Sequence, residues 1–224
     1  MNFKIASVDS IIIYFGDEIS QNIFLKVKKA LYSINALKDK ALIEVIPSYT
    51  SIFITYDIFT YDFNSLKKKL ETSISFDELE EKGEKIITID IYYGTEVGFD
   101  LADISKKTTL SIDEIISIHS SKLYDVYAIG FLPGFAYLGN VNKEIAMPRL
   151  STPRKLVPKG SLALADIQTA IYPQNSAGGW NIIGKTAMEL FNKELDTLSS
   201  LNVGNKVRFN PITKKEFLKQ GGVL

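Results

Sequence analysis

The sequence predicts an α+β fold in two parts, on three observations. Over residues 1–82, strand-like and helical runs alternate, as in a small α/β sandwich. The polar, glycine-containing run ELEEKGEK (78–85) then interrupts the pattern and marks a domain boundary. From Asp125 onward the chain consists of short β-like runs cut by glycine and proline, and five of its seven prolines lie between 133 and 173. Long helices are excluded there, so residues 83–224 are expected to form a closed or nearly closed β-barrel with a few helices.

Each element has its own signal. Residues 1–15 read as extended, with the apolar run Ile11–Phe15 a buried strand. Ile23, Val27, Ala30, Leu31 and Ile34 recur at helical spacing. Leu42–Ile46 and Ile52–Tyr56 flank the turn-rich PSYTS and predict a strand pair. Phe63, Leu66 and Leu70 give a shorter helical stripe. Past the break, Ile87, Ile89 and Ile91 alternate with Thr88, Asp90 and Tyr92, the period of a half-exposed strand. Ser111 and Glu114 stand at capping-box spacing before a stripe of Ile112, Ile115, Ile116 and His119, and Thr213 and Glu216 repeat that spacing near the end. The acids Asp100, Asp103, Asp113 and Glu114 read as helix caps and solvated faces.

Composition narrows the function. Basic and acidic residues number 26 each, which argues against nucleic acid, whose binders carry a basic face. The absence of cysteine removes disulfides, thiol catalysis and thiolate metal sites, and a single histidine makes a dedicated transition-metal site unexpected. The apolar run at Ile11–Phe15, closed by Gly16 and Asp17, is too short for a signal sequence or a membrane span. A cytoplasmic protein is the expectation.

Three segments could carry chemistry. MPRLSTPRKLVPKGS (147–161) places Arg149 and Arg154, two of the chain's three arginines, among three prolines spaced by five. It reads either as a solvated surface loop or as a stiffened anion-binding loop, since guanidinium groups make the bidentate contacts with carboxylate or phosphate that lysine cannot. GFLPGFAYLGN (130–140) is either a tight connection with an aromatic plug or the wall of a pocket. IYPQNSAGGWNIIGKT (171–186) holds the only tryptophan, Trp180, behind Gly178 and Gly179. It reads as a hairpin connection, or as a place where backbone amides approach an anion or developing oxyanion. His119 lies on the apolar stripe of its helix, so its residues leave open a hydrogen-bonded core imidazole or a proton carrier.

Taken in order, YGTEVGFDL, SIDEIISIH, VYAIGFLPGFAYLG, MPRLSTPRKLVPKGSLALA, QTAIYP and GGWNIIGKT resemble the family of B-type 5-oxoprolinase subunits, also described as KipI-like or allophanate hydrolase subunit 1. The resemblance is dense over 93–191 and fainter elsewhere. It implies a small N-terminal α/β domain and a C-terminal cyclophilin-like barrel. It also implies a subunit that works with a larger partner, the C-type 5-oxoprolinase subunit or an allophanate hydrolase subunit 2-like protein, to hydrolyse 5-oxoproline to glutamate. ATP, with magnesium, would be co-substrate, at a site on or shared with the partner, and no bound organic cofactor is expected. Two other roles attach to the family: a non-catalytic inhibitor of a sensor histidine kinase, and a carboxyltransferase-like or allophanate hydrolase subunit in urea metabolism. Mapped onto this chain, the expected catalytic residues are His119, Arg154 and Gln168. The expected substrate-binding residues are Arg149, Lys159, Tyr172, Gly178, Gly179 and Trp180. The sequence departs from the family pattern at Ala136, where proline is usual, at Asp166, where glycine is common, and at Ala177, where proline is usual.

Overall fold

The computed structural model describes residues 1–76, 85–194 and 198–224. The boundary expected within 78–85 lies outside the described residues except for Lys85. The chain divides into two compact units, Met1–Gly83 and Glu84–Leu224, of mixed α and β structure.

The first unit is built from β1 (Asn2–Ser7), β2 (Ser10–Tyr14), α1 (Gln21–Ala36), β3 (Leu42–Pro47), β4 (Ser51–Tyr56) and α2 (Phe63–Ser73). The strands form one sheet in the order β1-β2-β4-β3, every neighbouring pair antiparallel. The period-two pattern sends Ile11 and Ile13 of β2 and Ile52 and Ile54 of β4 to one face. There they meet Val27, Ala30 and Ile34 of α1 and Leu66 and Leu70 of α2 in a single apolar cluster. Both helix starts are capped: Ser20 accepts from the Ile23 amide, and Asp62 and Ser65 form a capping box. α2 is also tied to the turn before β3. Lys69 Nζ donates to Asp39 Oδ2 at 2.6 Å and to the Tyr61 hydroxyl at 2.5 Å, and that hydroxyl donates to Asp39 at 2.7 Å.

The second unit contains β5 (Ile86–Ile91), α3 (Leu101–Thr108), α4 (Ile112–Ser120), β6 (Leu123–Ile129), β7 (Ala136–Gly139), β8 (Arg154–Val157), β9 (Ser161–Ala165), β10 (Gln168–Ile171), β11 (Ser176–Gly178), β12 (Asn181–Lys185), β13 (Lys206–Pro211) and α5 (Lys214–Lys219). Seven strands run in the order β12-β9-β10-β7-β6-β13-β5. All neighbours are antiparallel except β5 and β13. The two outer strands then meet. Tyr92, just past β5, exchanges both backbone hydrogen bonds with Lys185 at the end of β12, at 2.8 and 2.9 Å. The sheet is thereby a nearly closed barrel, and its edges satisfy each other.

Alternation along β9 separates two cores. Leu162 and Leu164 point into the barrel with Tyr124, Val126, Leu138, Ile171, Ile183 and Phe209; Leu101, Ile104 and Ile115 of α3 and α4 join the same cluster and close the barrel. Ala163 and Ala165 point outward, into a second cluster with Ala170, Phe135, Tyr172 and Trp180. The capping boxes expected at Ser111–Glu114 and Thr213–Glu216 are both present. Asp166, where the family favours glycine, opens the two-residue β9–β10 turn with φ 51, a conformation in which glycine is the relaxed choice. Among the described residues no helix is long and apolar enough to cross a membrane.

The Asp39 triad gives a pH prediction for the first unit. Its hydrogen bonds from Lys69, then Tyr61, hold the carboxyl down at about 2 against an ordinary 3.8. A depressed folded-state value means stability that is complete above pH 4 and lost as pH falls toward 2. Urea unfolding over that window should show a loss of about 1 kcal/mol, after allowance for solvent screening, that is absent in Asp39→Asn.

Candidate functional site

The outer face of β9 and β10 is lined with the small residues Ala163, Ala165 and Ala170, and large rings fill the space they leave. Phe135 is the hub. Its ring stands edge-on to Tyr137 at 4.9 Å, to Tyr172 at 5.4 Å and to Trp180 at 5.8 Å between centroids. Edge-to-face pairs place the positive ring edge on the negative face of the neighbour, which fixes their angles as well as their contact. Thus GFLPGFAYLGN supplies both a tight connection and an aromatic wall. At its tip Phe131 adopts φ 69 and is 61% exposed. The left-handed conformation is costly for a bulky residue, and the preceding strand and following turn enforce it.

Gly178 holds the phenol of Tyr172. A Cβ on Gly178 would lie 2.2 Å from the Tyr172 hydroxyl, so the close approach requires glycine. Burial, the largest influence, raises the phenol above its ordinary value. Tyr172 is therefore a neutral group near pH 7. Gly179 is less constrained: an added Cβ would make only ordinary contacts with Pro153 and Leu150, at 3.6 and 3.7 Å.

The two arginines converge on this wall. The Leu150 amide donates to Gly179 O at 2.7 Å, and Asn181 Nδ2 donates to Pro148 O at 2.8 Å, so the loop carrying Arg149 is fastened on both sides. The Arg149 guanidinium sits over the Trp180 ring at 5.7 Å, a cation–π arrangement. Arg154 differs from its expected setting. It begins strand β8, with Gly178 of β11 as its register partner, rather than lying in a free loop. Its Nη2 donates to Asp100 Oδ1 at 2.6 Å, while Phe99 lies beneath it at 6.0 Å. Both guanidinium groups act electrostatically on the Tyr172 hydroxyl. Arg154 Nη1 is buried and has no hydrogen-bond partner.

Asp100 is the member of this arrangement that the sequence did not reveal. It was expected to be a cap or a solvated acid. It occupies the N-cap position of α3 but caps nothing. Instead it is only 6% exposed, and its second oxygen accepts the Ile182 amide at 2.6 Å, while its own amide donates to Ile182 O at 2.9 Å. No local pattern distinguishes this carboxylate from an ordinary cap, because its partners lie far along the chain.

The remaining candidates fall in three places. Gln168 lies on the outer face with Ala170 and Tyr172, since Thr169 and Ile171 alternate inward. Lys159 is directed elsewhere: its ammonium pairs with Glu189 at 3.1 Å, with about half of each side chain exposed. His119 is in the barrel core, fully buried, stacked on Phe209 at 4.9 Å. The Thr169 hydroxyl donates to Ala163 O at 3.0 Å, so it accepts from His119 Nε2 at 3.1 Å, and Nδ1 in turn accepts from the Tyr93 hydroxyl at 2.9 Å. Both ring nitrogens are occupied, and burial pushes the imidazole down to about 3. This is the setting of a neutral structural histidine rather than a proton carrier. Among the described residues, no group of three or more His, Asp or Glu side chains is placed to hold a metal ion.

Comparison with known proteins agrees with the motifs. The family model for the carboxyltransferase domain, subdomain C and D, matches residues 1–201. A B-type 5-oxoprolinase subunit from Bacillus subtilis is 36% identical over 219 residues, covering 93% of this chain and 91% of its own. The chain belongs to the family of B-type 5-oxoprolinase subunits. Among solved structures, the conserved uncharacterized protein PH0987 from Pyrococcus horikoshii is 40% identical, with a TM-score of 0.59 over 96% of this chain and 100% of its own. The protein TTHA0988 is 27% identical with a TM-score of 0.80 over 91% of this chain, which spans only 40% of that longer one.

Two expectations follow for this member of the family. Acidification should weaken the barrel: an unfolded histidine titrates near 6.5 and His119 near 3, so the unfolded state takes up the proton first and stability falls as pH drops below 6.5. By pH 5 the loss should be about 2 kcal/mol, and His119→Gln should flatten that slope in urea unfolding whatever its own cost. Separately, Gly178→Ala should displace the Tyr172 hydroxyl and change the emission of neighbouring Trp180 without unfolding the barrel.

Proposed function

We propose that the chain is one component of an ATP-dependent 5-oxoprolinase, opening 5-oxoproline to glutamate together with a larger partner subunit. The observation that carries this reading is the convergence of Arg149 and Arg154 on an aromatic wall. Such a donor array suits a carboxylate or phosphate next to a small ring. The names of the curated relatives supply the substrate class and the expectation of further subunits.

The chemistry needs activation, because an unstrained lactam is a poor electrophile. ATP would transfer its γ-phosphoryl group to the lactam oxygen with release of ADP. Water would then add to the ring carbon, and C–N cleavage would give an acyl phosphate and a free amine. A second water would release inorganic phosphate and leave glutamate. In this scheme Arg149 and Arg154 hold the substrate, Trp180 and Tyr172 bound its ring, and Gln168 orients it. Lys159 and His119 have no part, on the geometry described above. Magnesium-bound ATP would be held on or with the partner, and an ATP-dependent reaction of this kind belongs in the cytoplasm.

A second reading, a regulator docking on a histidine kinase, is favoured by Phe131 and Phe99, which are 61% and 47% exposed on this unit and are the sort of aromatic anchors that protein interfaces use. Co-expression with the larger partner separates the readings. ADP release should depend on 5-oxoproline and not on allophanate; silence with every substrate overturns the enzymatic reading in favour of the regulator. In the same assay Arg154→Lys should keep the charge, lose the fork, and lower coupled turnover about tenfold or more.

A further inference from the structure

We infer that the Arg149–Arg154 site is built for a single carboxylate and against phosphate dianions, and that Asp100 is the positioning residue that sets this preference. The inference rests on the reading of the site given above and narrows it. Two guanidinium groups face the aromatic wall, and one buried carboxylate is bonded to one of them at 2.6 Å, which leaves one net positive charge for a ligand. These two guanidinium groups are the cations that act on the Tyr172 hydroxyl. Lys159 is paired with Glu189, strand alternation turns Lys155 away from Arg154 on β8, and the phenols of Tyr137 and Tyr172 are raised by burial and stay neutral.

Geometry assigns Asp100 its role. One oxygen takes the Ile182 amide and the other takes Arg154 Nη2, so the guanidinium plane is fixed by the barrel wall. Nη1, on the same carbon, is buried and unpartnered, while about a quarter of the side chain stays open. A ligand oxygen bound against that open part comes within a few ångströms of the Asp100 carboxylate. One negative charge there is compensated by the second arginine. A doubly charged phosphate brings an uncompensated charge beside a buried carboxylate, and like-charge juxtaposition of this kind rejects wrong partners. The nucleotide's phosphates are therefore bound elsewhere in the assembly, and this chain holds the carboxylate end of the substrate.

Trp180, the chain's single tryptophan, lies under Arg149 and reports binding through its emission. The purified chain would be titrated with 5-oxoproline, with 2-pyrrolidinone (the same lactam without the carboxylate), with inorganic phosphate and with ATP. The expected result is a saturable change with 5-oxoproline and none with the other three at the same concentrations. Asp100→Asn adds one net charge and should lower the preference for 5-oxoproline over phosphate about tenfold, and Asp100→Glu should restore it; a merely structural role would move both affinities together. Phosphate or ATP binding to the wild-type chain as well as 5-oxoproline overturns the proposal without reference to any variant, as does the absence of a response to 5-oxoproline. Coupled turnover without binding here would overturn this proposal alone. Carboxylate binding without coupled turnover would overturn the enzymatic reading alone.

Discussion

The buried carboxylate of Asp100 is the junction on which the site depends. It joins the start of α3, the backbone of β12 and the guanidinium of β8. The approach is possible because Gly98 has no Cβ: one would lie 2.6 Å from the carbonyl oxygen of Ile183. Removing one member of such a pair strands the other charge in a poorly solvated place, at a cost of about 3–5 kcal/mol. A hydrophobic pair of the same volume would stabilise the barrel at least as well. What the ion pair contributes that a hydrophobic pair does not is a guanidinium held at a fixed angle with part of its donor capacity unspent.

The aromatic wall depends on the opposite strategy, in which small residues create room. Ala163, Ala165 and Ala170 present methyl groups on the outer face of β9 and β10, where larger side chains would exclude the rings of Phe135, Tyr172 and Trp180. The same strands turn Leu162, Leu164 and Ile171 into the barrel. Alternation of size, as well as polarity, therefore produces one face packed as the barrel core and another packed around aromatic rings. The hairpin turn at Asp166 and the ladder from β9 to β12 keep these strands in register, and a slip of one residue would exchange the two faces.

The fold was legible where its determinants are local. Helical stripes, alternating isoleucines and the capping boxes at Ser111 and Thr213 each involve residues within a few positions of one another, and each element formed as its pattern required. The site was legible in part. The scarcity of arginine singled out Arg149 and Arg154, and the glycine pair singled out Trp180. Asp100 was not legible, since it meets Arg154 across 54 positions and Ile182 across 82, and its position before a helix imitates an ordinary cap. The pairing of Lys159 was hidden for the same reason: its partner, Glu189, lies 30 positions away. His119 was placed correctly on an apolar stripe, but only the fold brings Tyr93 and Thr169 to its two nitrogens.

A site with one net positive charge and a mostly apolar lining is poorly suited to perform a phosphoryl transfer alone, since that chemistry spreads several negative charges and needs cations to meet them. The same site is well suited to hold a small ring acid still. Rigidity supports this division: the loop bearing Arg149 is fastened by Leu150 and Asn181, Arg154 by Asp100, and Tyr172 by Gly178. Little ordering entropy then remains to be lost when a ligand binds. In the proposed reading, binding energy gained on the carboxylate, far from the lactam carbon, is spent on aligning that carbon with groups a partner supplies, and a chain that contributes orientation without the phosphate cradle acts jointly.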